Sequence, residues 1–258
     1  MDIPRASPKA SISQTIGVCG VTLHYGRPSA RGRRVMGELV PYGKVWRAGA
    51  DEATTISFSH PARIEGQQIP AGKYALAMTP DATRWTVILN SEWCQLGVYN
   101  LDVEKDVLRV EVPPQSTQHT EMCTYTFTEV TQSAGTLNLE WERTRISLSI
   151  ETDTHAHTLE EITRAVSAAT AHWFTYSAAA QYHFYERHEA DIALEYIDAA
   201  IALHAPNPAP WMLKSQILAS QGDYEQAIRF ATEAIEVSRR HDFLFEVEEN
   251  EANIQKWS

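Results

Sequence analysis

Val21-Thr-Leu-His-Tyr25 and Thr54-Thr-Ile-Ser-Phe58 bracket the run GRPSARGRRVMGELVPYGKVWRAGADEA, residues 26–53. In the first segment Val21, Leu23 and Tyr25 alternate with Thr22 and His24, the period-2 pattern of a strand with one buried face. The second is β-branched and aromatic. The same pattern extends outward along the chain. It predicts strands over 74–78, 85–90, 107–112, 124–130, 137–142 and 145–150, with turns at 67–72, 79–83, Pro113-Pro114 and 133–135. Short strands separated by frequent turn signals imply an antiparallel β-sandwich, jelly-roll-like, over residues 1–152.

Beyond residue 152 the period changes. Thr158-Leu-Glu-Glu161 has the form of a capping box, and an Ala-rich helical pattern runs on for about thirty residues. Asn207-Pro-Ala-Pro210 and Gly222-Asp223 interrupt it, with Asp223 placed to cap a new helix. Ala190, Ala193, Ile197, Ala200 and Ile201 recur as Tyr224, Ala227, Ala231, Ala234 and Ile235, each 34 residues later. That is the tetratricopeptide period. Trp211, Gly222, Tyr224 and Ala227 resemble that family's pattern, while the first copy carries His188 in place of the turn glycine. We therefore expect an α+β protein: a β-sandwich domain, then an all-helical, tetratricopeptide-like domain over 153–258, closed by a capping helix over 243–257.

The charge follows the same division. Residues 1–152 carry 15 Lys and Arg against 16 Asp and Glu, and residues 153–258 carry 7 against 17, giving a net charge of -11 for the chain. An acidic second half argues against nucleic acid as a partner. No apolar run reaches the ~20 residues that span a bilayer. The start, MDIPRASPKASISQ, lacks the apolar region of a signal peptide and reads as a linker of a mature, extracytoplasmic (periplasmic) form, the alternative being a cytoplasmic chain. Cys19, Cys94 and Cys123 fit either three unpaired thiols or one disulfide in an exported protein.

The bracketed run concentrates the chemistry. Arg27, Arg31, Arg33, Arg34 and Arg47 lie close in sequence to Tyr25, Tyr42 and Trp46. Guanidinium groups recognise carboxylate or phosphate through paired hydrogen bonds. Pro28 restricts Arg27 to extended backbone. The residues expected to bind ligand are Tyr25, Arg27, Arg31, Arg33, Tyr42, Trp46 and Arg47. Asp51 and Glu52 are the candidates for acid/base work. The competing reading is an Arg–Glu network, with Glu52 pairing one of the arginines and pinning the loop to the sandwich. No phosphate loop, dinucleotide fingerprint or nucleophile elbow is present, so no cofactor is implied. His155-x-His157 lacks a third ligand at a recognisable spacing, and no metal is expected. Trp85 and Trp93 read as core rather than as sugar platforms.

Ser13-Gln-Thr-Ile-Gly17, Tyr25-Gly-Arg-Pro28, Arg31-Gly-Arg33, the run from Leu39 to Thr54, Ile69–Leu76 and Asp106–Val110 occur in that order. Together they resemble the bacterial family called domain of unknown function 2911, over about residues 11–152. The resemblance implies an exported bacterial protein with helical repeats after the β-domain, and no particular reaction. Asp51 stands where that pattern usually has Asn, a carboxylate in place of an amide. Three functions follow as expectations: a binding module for a small anionic or polyhydroxylated, carbohydrate-like molecule; a cofactor-independent enzyme acting on such a molecule through Glu52 or Asp51; or a scaffold docking a protein partner on its helical repeats.

Overall fold

The computed structural model describes residues 4–98, 101–168, 170–203, 205, 207–241 and 245–258. The chain divides into two compact units, Met1–Thr158 and Leu159–Ser258. Among the described residues the first holds ten strands: β1 (Lys9–Ile16), β2 (Cys19–Gly26), β3 (Thr54–Phe58), β4 (Ala62–Ile64), β5 (Gln67–Ile69), β6 (Gly72–Thr79), β7 (Trp85–Asn90), β8 (Asp106–Val112), β9 (Gln115–Thr128) and β10 (Ala134–Glu151). They form a six-stranded sheet in the order β1-β2-β3-β6-β7-β8 and a four-stranded sheet in the order β5-β4-β10-β9, with antiparallel pairing throughout the paired strands. The β4–β5 hairpin leaves the first sheet to extend the second.

The alternation read from the sequence places the core. Leu23, Ile56, Leu76, Met78, Val87 and Leu89 of the six-stranded sheet share one apolar cluster with Tyr125, Leu137, Leu139, Trp141, Leu148 and Ile150 of the other. Full burial of each such aliphatic side chain stabilises by roughly 1.5–3 kcal/mol. Trp85 is core, at 1% exposure, whereas Trp93 is 40% exposed and lies under the Lys73 ammonium.

Several expectations need correction. The supposed N-terminal linker is β1 from Lys9 onward; Ala10, Ile12 and Ile16 supply the alternation that its Ser and Gln residues masked. The turn expected at 67–72 contains β5. The two strands expected over 137–150 are one long β10. It is bent where Glu142 adopts φ 54° and the register with β9 shifts on either side, as a bulge does. Cys19 and Cys123 are buried, Cys94 is exposed, and all three are unpaired thiols. The disulfide alternative therefore fails.

The helices are α1 (Thr154–Ser167), α2 (Trp173–Gln181), α3 (Ala190–Ala202), α4 (Ala209–Ser220), α5 (Tyr224–His241) and α6 (Phe245–Trp257). The capping box expected at Thr158 is not used. Asp153 caps α1 instead, its carboxylate accepting from Ala156 N at 3.0 Å, and the Thr158 hydroxyl donates to Thr154 O inside the helix at 2.7 Å. The thirty-residue helix is likewise interrupted, and His172 caps the start of α2 through its ring nitrogen. A π-helical turn, Tyr182–Glu186, follows α2. Asp223 does cap α5, accepting from Gln226 N at 3.1 Å.

Successive helices pack in pairs, α2 with α3 and α4 with α5, with α3 also on α4 and α5 on α6. Ala193, Ile197 and Ala200 are fully buried, and so are Ala227, Ala231 and Ala234, their counterparts 34 positions on. The turns match as well: His188 has φ 57° and Gly222 has φ 83°. His183 fastens the first turn by pairing through Nδ1 with Glu189 at 2.8 Å. The start of the expected capping helix, at residues 243 and 244, lies outside the described residues.

Candidate functional site

The run between β2 and β3 stitches the two sheets together. On leaving β2 the chain crosses to the outer edge of the four-stranded sheet. There Cys123 N donates to Pro28 O at 2.9 Å and Ala30 N donates to Glu121 O at 2.8 Å. It then returns, and Trp46 exchanges two main-chain hydrogen bonds with Met78 of β6, at 2.7 and 2.8 Å. The turn after Trp46 needs unusual backbone. Ala48 has φ 52° and Asp51 has φ 64°. The Ala48 carbonyl is buried and accepts from the Tyr125 hydroxyl at 2.8 Å and from the Thr54 hydroxyl at 3.2 Å. A Cβ on Gly26 would stand 2.3 Å from Ala50 O, so the close approach of β2 to this turn requires glycine. The left-handed conformation at residue 51 is one that Asn and Asp tolerate best among side-chain-bearing residues. Backbone geometry thus accounts for an Asx residue there without any appeal to the amide.

This crossing shapes a cleft of about 390 Å³. Its lining includes Arg31, Arg33, Arg47 and Asp51, with Trp46 and Trp141 beneath. The two indoles stack, with centroids 5.9 Å apart and planes 24° apart, and Trp46 meets Trp85 edge-on at 6.3 Å. Trp46 also donates its indole N–H to Gly49 O at 3.0 Å, which fixes the ring. Neutral main-chain carbonyls orient the guanidinium groups. Arg33 donates to Ala30 O at 2.9 Å and to Ser29 O at 2.8 Å, Arg31 to Ala6 O at 3.3 Å, and Arg47 to Asp51 O at 2.8 Å.

The remaining sequence candidates lie elsewhere. Arg27 reaches across to β9, donating to Cys123 O at 3.1 Å and to the Thr124 hydroxyl at 2.7 Å. Tyr25 is 5% exposed, packs edge-on against Tyr125 at 4.7 Å, and accepts from Tyr125 N. Burial raises the pKa of both phenols and keeps them neutral. Tyr42 is exposed and its ring lies against Gly37. Glu52 faces away from the cleft and pairs with the N-terminal segment: both its oxygens accept from Arg5, at 2.7 and 2.8 Å, and Lys9 lies 3.2 Å away. Those hydrogen bonds, led by Arg5, lower its pKa to about 2. The pairing of Glu52 with a loop arginine expected from the sequence is not found; its partners are Arg5 and Lys9, and the group is substantially exposed.

Arg31, Arg33, Trp46, Arg47 and Asp51 therefore meet in one place, while Tyr25, Arg27, Tyr42 and Glu52 do not join them. Sequence reasoning missed Trp141. Its position in an alternating strand marks it only as core, and nothing local shows that residue 46 will settle on top of it. Its indole N–H is buried without a partner. Among the described residues no cluster of three or more His, Cys, Asp or Glu could hold a metal, and no helix is long and apolar enough to cross a membrane.

No curated protein matches this chain. One family model does, over residues 7–150, more than half of the sequence. That match spans the strands and the arginine-lined cleft together, and the chain belongs to the family described as Protein of unknown function (DUF2911).

Proposed function

We propose that the β-unit is a binding module that holds a small anionic or carbohydrate-like molecule in this cleft. The observation that carries the reading is that Arg31 and Arg33, oriented by the carbonyls of Ala6, Ala30 and Ser29, line one cleft with Trp46. A ring or aliphatic body can lie on the aromatic and apolar lining while its polar groups meet the guanidinium forks. Glu52 is poorly suited to acid/base chemistry in the cleft. A carboxylate tied to Arg5 and Lys9, with a pKa of about 2, is a feeble proton acceptor near neutrality.

The helical unit supports a second, separate reading as two tetratricopeptide-like hairpins with a closing helix, suited to docking a protein partner. The 34-residue recurrence of buried small residues and of left-handed turn positions supports it. An extracytoplasmic location for the whole remains part of the proposal.

The test is a calorimetric screen of phosphorylated, carboxylated and neutral sugars against the parent chain, Arg31→Gln and Glu52→Gln. Binding that is lost in Arg31→Gln and kept in Glu52→Gln supports the module. Turnover that vanishes in Glu52→Gln would instead establish an enzyme.

A further inference from the structure

Each sheet has two outer strands, and three of these four ends carry a feature that blunts strand pairing. β5 is three residues long and runs into Pro70. β8 bears the exposed charges Arg109 and Glu111. β9 is crossed by the segment from Pro28 to Ala30, which takes main-chain groups of Glu121 and Cys123. β1 has none of these. It pairs with β2 over eight consecutive residues without a bulge, and from Ala10 to Ile16 it contains neither a charge nor a proline.

The register shows which groups of β1 face outward. Arg27 N donates to Pro8 O at 2.8 Å, and that pair continues the register of Lys9 with Gly26. In an antiparallel pair, residues that exchange hydrogen bonds alternate with residues that do not. Ala10, Ile12, Gln14 and Ile16 therefore bond to β2. The residues opposite the others turn away from β1: Gly20, opposite Thr15, accepts from Ser59 N, and Gly26, opposite Lys9, accepts from Ala50 N. The N–H and C=O groups of Lys9, Ser11, Ser13 and Thr15 consequently point off the sheet, and all four residues are exposed. Among the described residues, the further bond to these groups is local, from the Gln14 amide to Thr15 O at 2.9 Å.

We propose that this edge pairs with the same edge of a second copy of the chain, antiparallel about a two-fold axis at Ile12, so that two six-stranded sheets run into one. The strand is complementary to itself in that register. Ser11 faces Ser13 of the second copy and Lys9 faces Thr15, each pair exchanging main-chain hydrogen bonds, so no charge meets a like charge. Ala10 faces Gln14. Ile12 meets its own counterpart on the core side of the sheet, where it is half-buried and has apolar surface left to cover. A foreign strand would have to bring a matching pattern, whereas a copy already has it. The β-unit is also nearly neutral, with 15 Lys and Arg against 16 Asp and Glu over residues 1–152, so two of them approach with little repulsion. This contact does not depend on what the cleft binds.

Sedimentation velocity of the full chain, from about 5 to about 500 μM, should show dimer replacing monomer over roughly tens of micromolar, as suits an interface at the small end of the specific range. The double variant Ser11→Lys, Ser13→Lys sets like charges directly opposite one another and should weaken association at least about tenfold. Its thermal unfolding should stay near the parent's, since both side chains are exposed. Ile12→Cys, made together with Cys94→Ser to remove the exposed native thiol, should form a disulfide-linked dimer under mild oxidation. Across the axis the two residues are a non-hydrogen-bonded pair, with Cα atoms about 4.5 Å apart and within disulfide reach. Ala10→Cys in the same background faces Gln14 and should link far more slowly. A parent that stays monomeric at the highest concentration overturns the proposal. So does a dimer that the double variant leaves intact, or one that Ala10→Cys links as fast as Ile12→Cys. If the double variant does not fold, the two linkage rates decide.

Discussion

Replacing Arg27 by Ala should unfold the β-unit more readily and should do so through the join between its sheets. The side chain spans from the end of β2 to β9 and spends two donors there, on Cys123 O and on the Thr124 hydroxyl. A hydrogen bond from an ionised donor contributes about 1.5–3 kcal/mol net. Arg27 is only part-buried, so the lower end applies to each, and the loss comes to about 3 kcal/mol. In a domain of this size that lowers the unfolding temperature by roughly 6–12 °C. Arg31→Ala removes one hydrogen bond to Ala6 O from an exposed side chain and should stay within about 0.5 kcal/mol of the parent. Arg27→Lys, a single charged point in place of a fork, should recover part of the loss. The assay is calorimetric or circular-dichroism unfolding of the three variants side by side. Equal unfolding temperatures for Arg27→Ala and Arg31→Ala would refute the division of the arginines into one that holds the sheets and others that face the cleft.

Glu52 should make the N-terminal segment acid-sensitive. Its folded pKa of about 2 lies below the ordinary 4.5, so its stabilising effect is present above the ordinary value and fades as pH falls toward 2. The pair is substantially exposed, so the effect should stay under about 1 kcal/mol, visible as faster proteolytic trimming before β1 and already present at neutral pH in Glu52→Gln. Ala227→Leu should overpack the fully buried face of α5 and destabilise the helical unit by about 1–3 kcal/mol in urea titration, with Ala193→Leu costing about as much. Gly26→Ala should prevent soluble folding of the β-unit or shift its unfolding drastically, because the new Cβ meets the Ala50 main chain at 2.3 Å; a near-native melt would show the turn to be more yielding than described.

The strands and helices were legible where a period governs them. Val21–Tyr25, Val107–Val112 and the 34-residue recurrence in the helices all declare which side is buried. Legibility ended in residues 26–53, where the chain is irregular and no period says which way a side chain turns. Arg27 and Arg31 look alike in sequence; the difference between them is a β9 carbonyl 96 positions away from the first. Trp141 shows the converse: its burial was readable, but its place under Trp46 depends on a loop 95 positions away folding back over it. Glu52 was read as the neighbour of a loop arginine because they are close in sequence, and a partner 47 positions earlier took it instead.

The crossing at Pro28 and Ser29 has a consequence for how the molecule behaves in a crowd. β9 is the outermost strand of its sheet, fourteen residues long, and rich in Thr. An open strand edge of that length is a template on which another chain can add itself. The segment from Arg27 to Ala30 lies across its middle and takes up the main-chain groups of Glu121 and Cys123. Pro28, having no N–H, offers a newcomer nothing to continue from. The segment that walls the cleft therefore also guards the sheet from self-association, so a variant that loosens it will tend to aggregate through β9 as well as lose the cleft.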